Sequence, residues 1–194
     1  MSVSRIVSSL NSSLRLMAEA SGVTTRCIYE DVTEAEVNRR IAACHESVRV
    51  LHRYWAARCN GRPMPSRADI DPVDFPRHLA SITLVDVVPD ARRFVYRLVG
   101  TQEVTGRGSD PTGLSVGEAF YGESREAALA TYEYVVRTRR PFCFRDPYVT
   151  PDGWREQEDT IYLPLSADGV EVNMVLVYTH SDSFRPRLTC MALR

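Results

Sequence analysis

Residues 81–99, SITLVDVVPDARRFVYRLV, decide the fold. Two runs rich in β-branched and aromatic residues, SITLVDVV and RRFVYRLV, flank a turn at Pro89-Asp90-Ala91. Such runs suit a pleated, half-buried surface, so the stretch reads as a β-hairpin. Working outward, residues 100–121 are glycine-rich and broken, with room only for short helices. Residues 123–139 read as a long helix that buries Ala127, Ala128, Leu129, Tyr132, Val135 and Val136, and Pro141 stops it. Three further strands are expected at 141–148, 154–165 and 170–180, separated by Pro151-Asp152-Gly153 and Ala167-Asp168-Gly169.

Strands grouped around one helical block, without strand-helix-strand alternation, imply an α+β domain: a five-stranded antiparallel sheet with helices on one face. The last strand is apolar on both sides, because Val170, Val172, Met174 and Leu176 alternate with Val175 and Val177. Something must therefore also cover the outer face.

The candidate cover lies upstream. Thr33-Glu34-Ala35-Glu36 is a capping box, in which the threonine oxygen accepts from the first turn while Glu36 reaches back to the Thr33 amide. Val37, Ile41, Cys44, Val48, Leu51 and Trp55 follow at 4-3-4-3-4 spacing, with Arg39, Arg40, Glu46, Arg49 and Arg53 opposite. One amphipathic helix over 33–59 is expected. Its seam, Val37, Ile41, Val48, Leu51 and Trp55, either packs on the chain's own sheet or joins a homodimer. Residues 60–76, NGRPMPSRADIDPVDFP, hold four prolines, so a link over 60–80 follows, with Asp71 or Asp74 capping its turns. The expected organisation is a flexible leader at 1–32, the helix at 33–59, the link at 60–80, the core at 81–180 and a tail at 181–194. Within the leader, Val3, Val7, Leu10, Leu14 and Met17 outline a short helix, and its serine-rich basic composition also resembles a targeting segment.

Composition narrows the chemistry. The net charge over 194 residues is -1, and all 24 basic residues are arginine. Lysine-dependent catalysis is thereby excluded, and a near-zero charge argues against a nucleic-acid partner. The cluster Arg137, Arg139 and Arg140 reads as a solvated helix end. No apolar run reaches the roughly 20 residues of a membrane span. Cysteines 27, 44, 59, 143 and 190 form no CxxC and are odd in number, which suits a reduced, cytoplasmic protein without a disulfide framework or zinc site. His45 and His52 stand seven apart rather than at the three- or four-residue spacing of helical metal ligands, so no metal is expected.

Three constellations invite catalytic or anion-binding readings. Gly113-Leu114-Ser115-Val116-Gly117 matches GxSxG, but a loop with Pro111 precedes it where a nucleophile elbow needs a strand. Ser115 is expected to cap a turn; a small hydrolase using it is the rival reading. Arg93 and Arg97 would share a strand face, to bind an anion or to meet Glu156, Glu158 or Asp159 across the sheet. The carboxylates Asp146, Glu156, Glu158 and Asp159 have no companion motif. No catalytic residue is assigned, and the chain is expected not to be an enzyme.

FVYRLVGTQEVTGRGSDPTGLSVGEAF at 94–120, YWAARCNGRPMPSRADIDPVDFPRHL at 54–79, RLVGT at 97–101 and LPLSADG at 163–169 resemble the PAS superfamily. More narrowly, they resemble a bacterial branch of stand-alone PAS-like domains of mostly unknown function, over roughly residues 33–180. The resemblance implies a sensory or regulatory module with a pocket beneath its helices, binding a small molecule or a signalling partner and often dimerising through a preceding helix. Strand and helix placement nominates Tyr96, Arg97, Thr101, Tyr132, Phe144 and Tyr162 as the lining. Flavin-binding light sensors of the superfamily carry an asparagine-cysteine-arginine-phenylalanine string that is missing here. Cys143 stands between Phe142 and Phe144 on a strand and reads as a buried structural thiol. Haem sensors use a histidine on the long helix, and residues 123–139 contain none. No cofactor is therefore expected, with haem and flavin disfavoured. About 14 residues follow the last strand, so output is expected through a separate signalling protein. The other reading is a pure protein-interaction adaptor without a ligand.

Overall fold

The computed structural model describes residues 32–121, 124–149 and 155–181, and the side chains of these except 146–149, 155 and 156. Most of the leader, the 151–153 turn and nearly all of the tail lie outside the described residues, as do the side chains of Asp146 and Glu156. Two helices, α1 (Glu34–Ala43) and α2 (Glu46–Arg58), precede three short 3-10 turns. Then come β1 (Ile82–Val87), β2 (Phe94–Val99), α3 (Thr101–Arg107), α4 (Arg125–Thr138), β3 (Phe142–Val149), β4 (Arg155–Leu165) and β5 (Met174–Ser181). The strands form one antiparallel sheet in the order β2-β1-β5-β4-β3.

Pairing assigns each strand residue to a face, because directly opposed residues point the same way. On the inner face, Phe94, Tyr96 and Val99 of β2 stand with Val85, Val175, Val177, Tyr162, Phe142 and Phe144. Helix α4 covers this side; its Tyr132 ring lies 5.2 Å from Phe94 and 5.3 Å from Tyr162. Ser124 caps α4 by accepting the Ala127 amide at 3.1 Å, and Arg139, in left-handed backbone just before Pro141, ends it. On the outer face, Ile82, Leu84, Leu163, Leu165, Met174 and Leu176 form a second apolar layer beneath α1 and α2.

The stripe Val37, Ile41, Cys44, Val48, Leu51 and Trp55 is buried throughout within the single chain. It packs in cis on β3, β4 and β5, which answers the open choice about what the stripe covers. Trp55 Nε1 donates to the Pro164 carbonyl at 2.8 Å inside this layer. Burying an apolar side chain of this size stabilises by about 1.5–3 kcal/mol, so the stripe is a substantial part of the core.

Two elements differ from expectation: the last strand begins at Met174 rather than at 170, which leaves Val170 exposed, and the N-terminal helix is interrupted. The single helix over 33–59 is two helices, broken at Cys44, whose backbone is extended (φ -71°, ψ 165°). The apolar spacing runs through the break unaltered, but partners far along the chain stabilise it. Asp159 on β4 accepts the His45 amide at 2.5 Å, and Arg145 on β3 donates to the Ala43 carbonyl at 2.5 Å. Arg49 donates to the carbonyls of Ala42 and Cys44, both at 3.0 Å. These bonds satisfy backbone groups that an uninterrupted helix would satisfy itself. At the start of α1, Thr33 accepts the Glu36 amide at 3.2 Å, while the Glu36 carboxylate takes Arg39 and Arg40 as partners. In the link, Asp71 caps the second 3-10 turn through the Val73 amide, and Asp74 accepts from Tyr54 and Arg58.

Candidate functional site

The backbone joining β2 to α3 positions the site. Gly100 ends β2 by donating to the Ile82 carbonyl at 2.8 Å, and its carbonyl accepts the Val104 amide at 2.9 Å. A Cβ at this position would lie 2.6 Å from the Ala80 carbonyl carbon and 2.8 Å from the Leu79 oxygen, so only glycine fits. The outer edge of β2 is closed by backbone bonds between Phe94 or Tyr96 and Gly113, Leu114 and Val116. Helix α3 is thereby seated beside β2, one turn presenting Glu103 and Arg107 together.

Glu103 is 8% exposed, and its Oε1 has no hydrogen-bond partner among the described residues. Burial lifts its carboxyl from the ordinary 4.5 to about 7; the Glu158 carboxylate adds to the rise and the Arg107 guanidinium opposes it. Arg107 lies over the Tyr96 ring at 5.1 Å and the Tyr121 ring at 4.8 Å. Its Nη1 donates to the Tyr96 hydroxyl at 3.3 Å, while its buried Nε has no partner. Tyr132 faces the same region, its phenol held well above the ordinary range by burial first and then by Tyr162 and Tyr96. The arrangement sets one unpaired acceptor and one unpaired donor beside three tyrosines. Native interiors rarely leave such groups without partners.

Four of the nominated lining residues converge here. Tyr96, Tyr132, Tyr162 and Phe144 share the inner side, with Phe144 6.0 Å from Tyr162. Arg97 and Thr101 stand apart. A bulge between Leu84 and Val85 leaves Arg97 exposed, paired with Asp86 at 3.2 Å, and Thr101 is exposed at the first turn of α3. Arg93 precedes β2 in left-handed backbone and pairs with Glu133 of α4 at 2.9 Å. Neither arginine meets β4 in the pairings described, because β1 and β5 lie between β2 and β4. Glu103 and Arg107 were missed by the sequence reading. The available signal was an acid and an arginine four apart directly after a strand, inside a segment dominated by glycines.

The remaining candidates occupy structural positions. The Ser115 hydroxyl donates to Glu118 at 2.6 Å and accepts the Glu118 amide at 3.2 Å, a turn cap with a carboxylate rather than a histidine as partner. His45 caps α2 and stacks on His180 with centroids 3.6 Å apart, while His52 lies 6.2 Å from Trp55. Cys143 is buried against Cys44, and hydrogen bonding between the thiols pushes Cys143 up and Cys44 down. Among the described residues no cluster of three or more His, Cys, Asp or Glu could hold a metal, and no helix is long and apolar enough to cross a membrane.

A family model described as PAS domain matches residues 43–177. No curated protein matches the chain. Similar solved structures include the light-oxygen-voltage (LOV) protein of Rhodobacter sphaeroides, 13% identical with a TM-score of 0.39, covering 59% of this chain and 70% of that one. A second is the PAS domain of Bordetella pertussis BvgS, 16% identical with a TM-score of 0.38 and coverages of 61% and 90%. A third is a light-oxygen-voltage domain described with a flavin analogue, 12% identical with a TM-score of 0.41 and coverages of 56% and 82%. These neighbours correct one expectation. The expectation that flavin is disfavoured no longer stands: light-oxygen-voltage domains are among the similar structures, one of them described with a flavin analogue.

Proposed function

The chain belongs to the PAS domain family, and from that premise we propose that it is a non-enzymatic sensory or regulatory module in bacterial signal transduction. It holds a small molecule between the inner sheet face and helices α3 and α4. One observation carries this reading: Glu103 is nine-tenths buried with an oxygen unpaired, beside an Arg107 whose Nε is also unpaired. An unsatisfied buried polar group costs about 1–3 kcal/mol, which a bound molecule offering the missing partners would recover. The nucleophile-base pair that a hydrolase needs is not formed at Ser115, whose hydroxyl is engaged by Glu118.

Occupancy would be passed on through contacts with a separate signalling protein in the cytoplasm or with a second copy of the chain. The Val37 to Trp55 stripe is buried in cis, so such contacts would use other surfaces. Ligand-dependent seating of α3 would change what the neighbouring Pro76–Ser81 turn presents, since the two pack together. Native mass spectrometry of the freshly purified chain tests the reading. The expected result is a small-molecule adduct that disappears on denaturation and is reduced in Glu103→Leu. Bare protein mass in both, with no thermal shift from a metabolite panel, would overturn it in favour of a ligand-free adaptor.

A further inference from the structure

The two unpaired atoms restrict what the ligand is. Glu103 Oε1 is an acceptor without a donor, and Arg107 Nε is a donor without an acceptor. The residues are one helical turn apart on the same side of α3, where Cβ atoms stand about 5–6 Å apart. A partner that satisfies both must offer a hydrogen-bond donor to Glu103 and an acceptor to Arg107.

Charge and shape narrow the class further. A carboxylate ligand would be drawn to Arg107 but would face the carboxylates of Glu103 and Glu158, which already influence each other. An ammonium ligand would suit those acids but would be placed against the half-buried Arg107 guanidinium, whose Nε would stay unsatisfied. A neutral molecule with both functions avoids either penalty. The surroundings are aromatic: Tyr132 and Tyr162 meet edge to face at 5.3 Å, and Tyr96 lies beneath Arg107. Aromatic walls favour a flat ring over a flexible chain.

We propose, resting on the ligand-binding reading above, that the site takes a flat neutral ring with an N–H beside a carbonyl, a lactam or cyclic imide. Its N–H donates to Glu103 Oε1 and its carbonyl accepts from Arg107 Nε. Since the free Glu103 carboxyl titrates near neutrality, ionising it to accept the ring N–H would release protons on binding below about pH 7.

Calorimetric titration of the full chain with uracil tests the proposal, using 1,3-dimethyluracil as the same ring without donors. Cyclohexanecarboxylate and cyclohexylamine serve as the charged comparisons. Uracil is expected to bind saturably, and dimethyluracil about 10- to 100-fold more weakly, the range expected when a buried hydrogen bond is lost. Glu103→Leu and Arg107→Met, each checked for retained fold by circular dichroism, are expected to weaken uracil to a similar degree. Glu103→Gln, which keeps an acceptor, is expected to retain part of the affinity. Tighter binding of the acid or the amine would overturn the lactam class while leaving a small-molecule site in place. Uracil binding indifferent to both Glu103→Leu and Arg107→Met would overturn the assignment of these residues. Absence of binding by uracil overturns the class; absence of binding by all four probes, with bare protein mass in the native spectrum, removes the ligand-binding reading as well.

Discussion

Glu103→Gln should make the protein more stable at neutral pH and leave it unchanged in mild acid. The carboxyl titrates near 4.5 when exposed and near 7 in the folded chain, so the folded state holds a proton that the unfolded state has already released across that window. Stability then falls as pH rises, by about 1.4 kcal/mol per pH unit for one proton. The sign follows from protons bound: more on the folded state means that raising the pH favours unfolding. Stability is full below 4.5, declines up to 7 and levels off above it, with a total loss of about 3 kcal/mol. Glutamine keeps the shape and cannot ionise, so the variant should match the wild type near pH 4.5 and exceed it by about 3 kcal/mol above pH 7.5. Urea denaturation of both proteins at half-unit pH steps measures this, and the difference cancels every other titrating group. For a domain of this size the urea midpoints should separate by about 1 M at the alkaline end. Parallel stability curves, or a variant weaker at every pH, would refute the placement of Glu103 in a dry, unpaired environment.

Gly100→Ala should destabilise by about 1–3 kcal/mol or more, because its new methyl meets the backbone of Leu79 and Ala80, which has no rotamer with which to yield. Thermal unfolding by circular dichroism reads this, and an unchanged midpoint would mean that the β2–α3 junction is looser than described. Asp159→Ala removes the acceptor of the His45 amide and should cost about 1–3 kcal/mol, with exchange of the amides in the first turn of α2 accelerated more than that of α4. Uniform acceleration across both helices would argue that Asp159 acts on global stability alone.

Much of the architecture was legible because its causes are local. Alternating β-branched runs around Pro89 to Ala91 specify the first hairpin whatever packs on it. The α4 helix carries its own start at Ser124 and its own stop at Pro141. Apolar residues on both sides of β5 required a cover on the outer face, and the Val37 to Trp55 stripe was visible as that cover. The break at Cys44 was not legible. The 4-3-4 spacing records only which side faces away from water, and both a straight helix and a broken one satisfy it. Arg93 and Arg97 were assigned the wrong acids for a related reason: residue spacing does not reveal which strands are neighbours.

The same division holds for the site. Tyr96, Tyr132, Phe144 and Tyr162 could be nominated because large aromatics on core-facing positions must meet something apolar. Glu103 and Arg107 could not, since a charged pair on a seven-residue helix looks identical in sequence whether it faces solvent or core. By itself the sequence determined the order of elements, the antiparallel sheet, the double-sided burial of β5 and an aromatic inner layer, all of which follow from local periodicity and hydrophobicity. Only the tertiary structure decided that the upstream stripe packs in cis, that Asp159 and Arg145 split its helix, and that Glu103 and Arg107 point inward. Those outcomes depend on contacts between residues up to 114 positions apart, where the energy of desolvating or satisfying a polar group is set by what the rest of the chain brings beside it.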